Sequence, residues 1–470
     1  MTNADAKGPG VRDAGTRRRP RVVIAGAGVA GVEALIALRD LLDGFVSIDI
    51  IAPRDDFVYR PLSVAEPFGL TEARRFPLAQ IAADHGATLH RGSLENVDFD
   101  EGRVSVRGGP SLSYDALLVA AGARPVEWLG GALHFSGPED VARMRTVVDD
   151  LDRGALTSVA FVAPAGASWT LPLYELALLS ASRVAEHGRG DVRLAIVTPE
   201  PHPLEVFGPS AARHMRELCA NRGITLRAAT RALSIQNGQL VLEPGPALTV
   251  DRVIALPVLD GEPIDGLPSD DAGFIPVDHH GAVRGLPGVY AAGDGVAYPV
   301  KQGGIATQQA DVAAEAIAAS CGAAIEPRPF HPRLRGQLLT GLAPSYITAG
   351  ITDAGPRDST VALNPLWWPP SKIAGRYLAP YLANQVTIDR PGQLEDRPAA
   401  TTTVAPGDTS LGRGELRDIA MKFAESDAEA GDYRSALGWL DTIEHLDGVL
   451  APALSEQQAE WRRLAGGLSR

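Results

Sequence analysis

Residues Gly26-Ala27-Gly28-Val29-Ala30-Gly31 place three glycines at the spacing G-x-G-x-x-G, directly between the apolar run Val22 to Ala25 and a stretch, Val32 to Leu42, with apolar residues at helical spacing. That order is strand, tight turn, helix. The first glycine permits the turn, the second lets backbone approach a pyrophosphate, and the third lets helix pack on strand. The helix N-terminus then offers free N–H groups to the anion. Val46 to Ala52 reads as a second strand and Gly44 closes the helix before it, so residues 22–52 form one βαβ unit. The acid that usually receives the ribose hydroxyls lies about 20 residues past the glycines, at the end of the second strand. Here that position is Ala52. Asp55 and Asp56 follow, either as a displaced ribose acid or as two exposed loop aspartates.

Val104 to Arg107 and Ala116 to Ala120 read as further strands, and a first domain pauses near Pro125. Ser158 to Ala163, a helix from about Leu171 to Ala185, and Val192 to Val197 then repeat strand, helix, strand. The chain thus holds two nucleotide-sized α/β units, and its 470 residues are too many for one core. A net charge of −13 repels phosphate backbones, which argues against a nucleic-acid partner. Two cysteines, Cys219 and Cys321, suit a reducing compartment, with the cytoplasm as the expected location. Arg17, Arg18 and Arg19 are followed by no signal-like apolar stretch, and no window reaches the roughly 18 apolar residues of a membrane span. Any membrane contact is expected at the surface.

Tyr114-Asp115-Ala116-Leu117-Leu118-Val119-Ala120-Ala121-Gly122-Ala123-Arg124-Pro125 resembles the "YDxLVxATGxxP" segment of the flavin-dependent pyridine nucleotide-disulfide oxidoreductase superfamily. Val289-Tyr290-Ala291-Ala292-Gly293-Asp294 looks like its second flavin motif. Phe57-Val58-Tyr59-Arg60-Pro61-Leu62 is similar to a loop of type II NADH dehydrogenases and sulfide:quinone oxidoreductases. The resemblance covers roughly residues 20–385. It implies FAD held by Gly26 to Gly31, Arg60, Ala121, Gly122, Gly293, Asp294 and Gln302, with Asp294 on the ribityl chain. It also implies two Rossmann-like domains, the FAD domain being discontinuous over 21–126 and 275–345 around a second, NAD(P)-like domain at 127–274. Lys301-Gln302-Gly303-Gly304 precedes a helix from about Ile305 to Ala319, which the resemblance places beside the flavin's pyrimidine edge. Lys301 either adds positive charge there or is a surface lysine at a helix start.

The pattern then departs from those relatives. Sulfide oxidation and disulfide reduction need a redox-active cysteine pair, and neither Cys219 nor Cys321 matches its positions; both read as small buried fillers. Where an NADH-binding glycine loop is expected, Val162-Ala163-Pro164-Ala165-Gly166-Ala167-Ser168-Trp169 has a single glycine, so NAD(P)H would need altered backbone contacts. Leu173-Tyr174-Glu175-Leu176-Ala177 resembles the "GxELA" helix in which a glutamate approaches nicotinamide; Glu175 is either that group or an ordinary charge on a half-exposed helix. His279 and His280 are expected to point to opposite sides of an extended segment, which does not suit a metal.

Residues 346–390 form an aromatic, proline-rich segment. Ile373, Tyr377, Leu378, Tyr381 and Leu382 fall on one face of an expected amphipathic helix, for a lipid surface, the flavin domain or a dimer contact. Residues 1–20 read as a disordered arm, 391–412 as a linker, and 413–470 as a helical tail, vaguely similar to a tetratricopeptide hairpin, that docks on the body or on a protein partner. Two functions are in view. One is an oxidoreductase passing electrons from a donor, NAD(P)H among the choices, through FAD to a quinone or other acceptor. The other is a flavin-binding scaffold or sensor with a dead second nucleotide site.

Overall fold

The computed structural model describes residues 19–352 and 355–388, single positions between 421 and 443, and residues 450–467. The expected arm, apart from its last two residues, and the whole linker lie outside the described residues.

The first sheet is parallel throughout, in the spatial order Val289–Ala291, Ala116–Val119, Arg21–Ala25, Ser47–Ala52, Thr88–Arg91. Its central strands are apolar without alternation because both faces are covered. Val22 and Ile24 point to one core, with helices α1 (Val29–Leu42) and α6 (Gly303–Ser320), while Val23 and Ala25 point to another, under a small antiparallel sheet at residues 93–113. A short helix, α2 (Leu78–Asp84), flanks the edge strand.

The second sheet is also parallel, in the order Leu133–His134, Arg252–Ala255, Ser158–Val162, Arg193–Val197, Ile224–Arg227. Around it lie α3 (Val141–Asp152), α4 (Leu171–Glu186) and α5 (Pro209–Asn221). Arg124–Val126 pairs antiparallel with Val258–Asp260, a strap of backbone where the chain passes between the two units. Both expected βαβ units are therefore present, and the class is α/β with two Rossmann-like sheets.

An antiparallel sheet of Arg333–Leu338, Ser345–Thr352 and Gly355–Ala362 straddles residue 345 and sends Leu334, Leu338, Ile347 and Ala349 into the core of the second unit. Beyond it, α7 (Leu378–Ile388) packs on α1. The expected helix face is corrected here: Ile373 and Tyr377 precede α7, yet both are buried with Leu378 and Leu382 against α1 and α6. The apolar face is spent on the protein's own interior.

In the tail, α8 (Pro452–Gly467) contributes Trp461 to a separate small core with Ala424, Ala436, Leu440, Ile443 and Leu450. Of the expected tail pattern, Gly431, Asp432 and Trp439 lie outside the described residues. Among the described residues no helix is long and apolar enough to cross a membrane.

Candidate active site

Three backbone segments converge at the carboxyl end of the first sheet. Gly26 has φ +118°, and a Cβ there would sit 2.1 Å from the Ala120 carbonyl oxygen; one on Gly31 would sit 1.9 Å from that of Gly26. These two glycines are needed for packing. Gly28, by contrast, faces open space, so its bare backbone is available to a ligand. Ala27 and Val29 flank it half-buried, and Ala30 is buried. Gly293, at φ +87°, fits close to Ala30 and donates its N–H to the Gln309 side chain at 2.8 Å. A Cβ on Gly295 would meet the Gly122 oxygen at 2.9 Å, which brings the 120–122 turn against the 293–295 turn. Ala121 is exposed beside it.

Below that cradle lies a cleft of about 260 Å³ whose walls include Arg60, Glu175, Asp294, Lys301, Gln302 and Lys372. The Asp294 carboxyl makes no hydrogen bond to any described residue. Burial raises its pKa, and Lys301 and Arg60 draw it back down. Lys301 is buried, which corrects the surface-lysine alternative. Its ammonium donates to the Val296 carbonyl and sits 3.6 Å above the Phe274 ring centre. Burial lowers its pKa to about 8, against the pull of Asp294 and Asp270. Gln302 caps α6: its side-chain oxygen accepts from the Ile305 N–H at 2.8 Å and its amide donates to the Arg335 carbonyl at 3.2 Å. Arg60 is exposed at the cleft edge, 3.4 Å from Glu139.

Glu175 is fully buried, not half-exposed on α4. Lys372 donates to both its oxygens at 2.6 Å, and the Leu339 N–H adds a third bond at 2.8 Å. Burial drives each partner toward its neutral form, and their mutual attraction opposes this. Lys372 and Gln337 also line a second cavity of about 260 Å³, bounded by Tyr59, Leu62, Phe76, Leu378 and Leu382, with Arg74 on its wall. The two cavities thus share Lys372 and Gln337 in their linings.

The structure thus gathers Arg60, Glu175, Asp294, Lys301 and Gln302 at one cleft under the glycine cradle. Lys372, Tyr59 and Glu33 were not among the sequence candidates. Glu33 had a signal, a carboxylate in an otherwise apolar helix; it accepts the Tyr377 and Leu378 N–H groups at 2.9 and 2.6 Å and so caps α7. Asp55 is held by Arg91 on the exposed side of the strand end. His279 and His280 do not point apart: residues 278–281 turn, and the rings lie 4.5 Å from each other. Cys219 is buried, with its thiol pushed up to about 11, Cys321 is half-buried after α6, and neither lines either cavity.

The residues fit FAD by three features: an open glycine backbone at a helix N-terminus, an unpartnered carboxyl facing a cavity, and a buried cation beside it. Two nucleotide-type sheets meeting at such a cleft define a two-domain dinucleotide-fold oxidoreductase. The chain belongs to the pyridine nucleotide-disulphide oxidoreductase family, whose model matches residues 20–316. It is 25% identical over 291 residues to an NADH dehydrogenase-like protein of Mycobacterium tuberculosis, covering 58% of this chain and 72% of that one. It is 26% identical to the sulfide-quinone reductase of Aquifex aeolicus, over 47% of this chain and 54% of the relative. Among solved structures, the Aquifex aeolicus sulfide:quinone oxidoreductase superposes with a TM-score of 0.64 at 18% identity, covering 73% of this chain and 86% of that one. A ferredoxin reductase from Rhodopseudomonas palustris gives 0.56 at 20% identity, over 71% and 83%.

Proposed function

We propose that this chain is an FAD-dependent oxidoreductase that takes two electrons from a small donor in the cleft and passes them to a quinone-class acceptor in the second cavity. FAD, when bound, supplies the two-electron store between donor and acceptor. The protein's residues orient and tune it. The backbone at Gly28 and the start of α1 would hold the diphosphate, and Asp294 would accept hydroxyl hydrogen bonds of the sugar-like chain. Lys301 and the N-terminus of α6 would favour negative charge in the cleft. Tyr59, Leu62, Phe76, Leu378 and Leu382 give the second cavity an apolar lining suited to a quinone ring, with Arg74 and Lys372 as donors to its carbonyl oxygens. Lys372 Nζ, bridging both Glu175 oxygens, could hand a proton to an acceptor on that side. No cysteine takes part.

The observation that carries this reading is the shared wall: Lys372 and Gln337 border both cavities, so one cofactor position serves two substrate pockets. The test is to purify the protein, record the flavin spectrum, reduce it chemically without oxygen, and add a water-soluble ubiquinone analogue. Rapid return of the oxidised spectrum is expected. A colourless protein that takes up no FAD, or a reduced protein indifferent to the quinone, would defeat the proposal and favour a scaffold role. A peripheral membrane contact and a homodimer are not needed by it.

A further inference from the structure

The second domain carries the fold of a dinucleotide site, but its strand-end acid is engaged by the domain's own side chains. In such domains an anion is held by free N–H groups at the first βα turn, and an acid at the end of the next strand receives ribose hydroxyls. Here the turn runs from Pro164 to Thr170 and opens α4. Pro164 and Pro172, the second residue of α4, have no N–H to give. The Ala167 N–H closes the turn onto the Pro164 oxygen at 3.2 Å, and the Leu173 N–H bonds the Thr170 oxygen at 3.0 Å. Gly166 is the only glycine in this stretch, four residues before the cap.

The acid at the strand end is present as Glu200, three residues past Val197. It is already engaged: it accepts from Tyr174 Oη at 2.6 Å, Thr198 Oγ1 at 2.8 Å, Thr170 Oγ1 at 3.0 Å and the Glu205 N–H at 3.2 Å. A carboxylate offers about four acceptor positions, so none remains for a sugar. Two of these donors, the N-cap Thr170 and Tyr174 in the first turn of α4, tie the carboxyl to the start of that helix through their side chains. Trp169 leans on Phe207 with ring centres 5.5 Å apart, adding bulk over the same turn.

We infer that Glu200 is a built-in occupant of the second dinucleotide site, so that this domain admits no NAD(P)H and the cleft takes a small organic two-electron donor without a diphosphate. The exclusion of NAD(P)H rests on the fully engaged Glu200 carboxylate and on the N–H groups that Pro164 and Pro172 lack; the nature of the donor rests on the flavin reading above. Phe135, Trp169, Leu171, Pro172, Pro257 and Leu259 give the cleft walls that an uncharged ring could occupy.

The full-length protein is titrated with ADP-ribose in a calorimeter, and, in its flavin-loaded form, mixed without oxygen with NADH or with N-benzyl-1,4-dihydronicotinamide, a hydride donor lacking the diphosphate. No saturable heat is expected from ADP-ribose up to millimolar concentration. Flavin bleaching by NADH should rise linearly with its concentration and be no faster than with the benzyl compound. Saturable ADP-ribose binding, or saturation of the NADH rate, overturns the inference. A sample without flavin defeats the functional reading instead, while the ADP-ribose result still decides whether the second site is closed.

Discussion

Lys301 is the residue at which pH should be felt. Its pKa of about 8 lies below the ordinary lysine value because burial penalises the ammonium, so the charge is present below pH 8 and lost above it. If that charge stabilises the reduced flavin, the rate of flavin reduction should fall as pH rises through about 8. Lys301→Met should lower the rate at pH 7 and flatten that step, a comparison that stopped-flow bleaching over pH 6.5–9.5 makes directly. Glu175 and Lys372 allow a test of another kind. Removing one partner of a buried pair leaves the other uncompensated, so Lys372→Met should cost about 3–5 kcal/mol in chemical denaturation, and Lys372→Met with Glu175→Met should recover most of it. If the pair also delivers a proton, both variants should reoxidise slowly with quinone, even where stability has returned. Of these groups only Lys301 and Glu175 could be found by reading along the chain. Lys372 is 197 residues from Glu175, and nothing local to Pro370-Ser371-Lys372 announces a buried ammonium.

At the level of elements, α1 and α6 were legible because glycine spacing and apolar runs fix their starts. The start of α7 was not. Apolar residues at 373, 377, 378, 381 and 382 fit a helical period, but the chain reaches Leu378 before it turns helical. What sets that boundary is Glu33, from the far end of the sequence, which takes the Tyr377 and Leu378 N–H groups. Gly375 is confined by the same carboxylate, since a Cβ there would come within 2.7 Å of it. Asp311 lies against Glu33, and burial together with Glu33's charge pushes its pKa well up. Charge-assisted bonds of this kind are worth about 1.5–3 kcal/mol each. Glu33→Ala should therefore destabilise the protein by several kcal/mol and free α7 first. Limited proteolysis should show cuts near residues 375–388 before cuts in either sheet; simultaneous loss of the whole body would argue that α7 is no separate unit.

For the molecule as a whole, the two α/β units were readable from two repeats of strand, helix and strand, whereas the spatial order of the strands was not and the second site was only half visible. The lone glycine and Trp169 showed that something was missing there, but Glu200's engagement depends on hydroxyls brought in from α4. The tail keeps Trp461, Leu440 and Ile443 in a core of its own, so ending the chain at residue 390 should leave flavin content unchanged and the melting temperature of the body within a few degrees. A body that no longer folds would give the tail a structural role. The two cavities that share Lys372 and Gln337 have a kinetic corollary. Reductant and oxidant need not take turns in one chamber, because each has its own. Both can be resident during a turnover, so an excess of one should not competitively inhibit the other in initial-rate measurements, whereas a shared chamber would give mutual substrate inhibition.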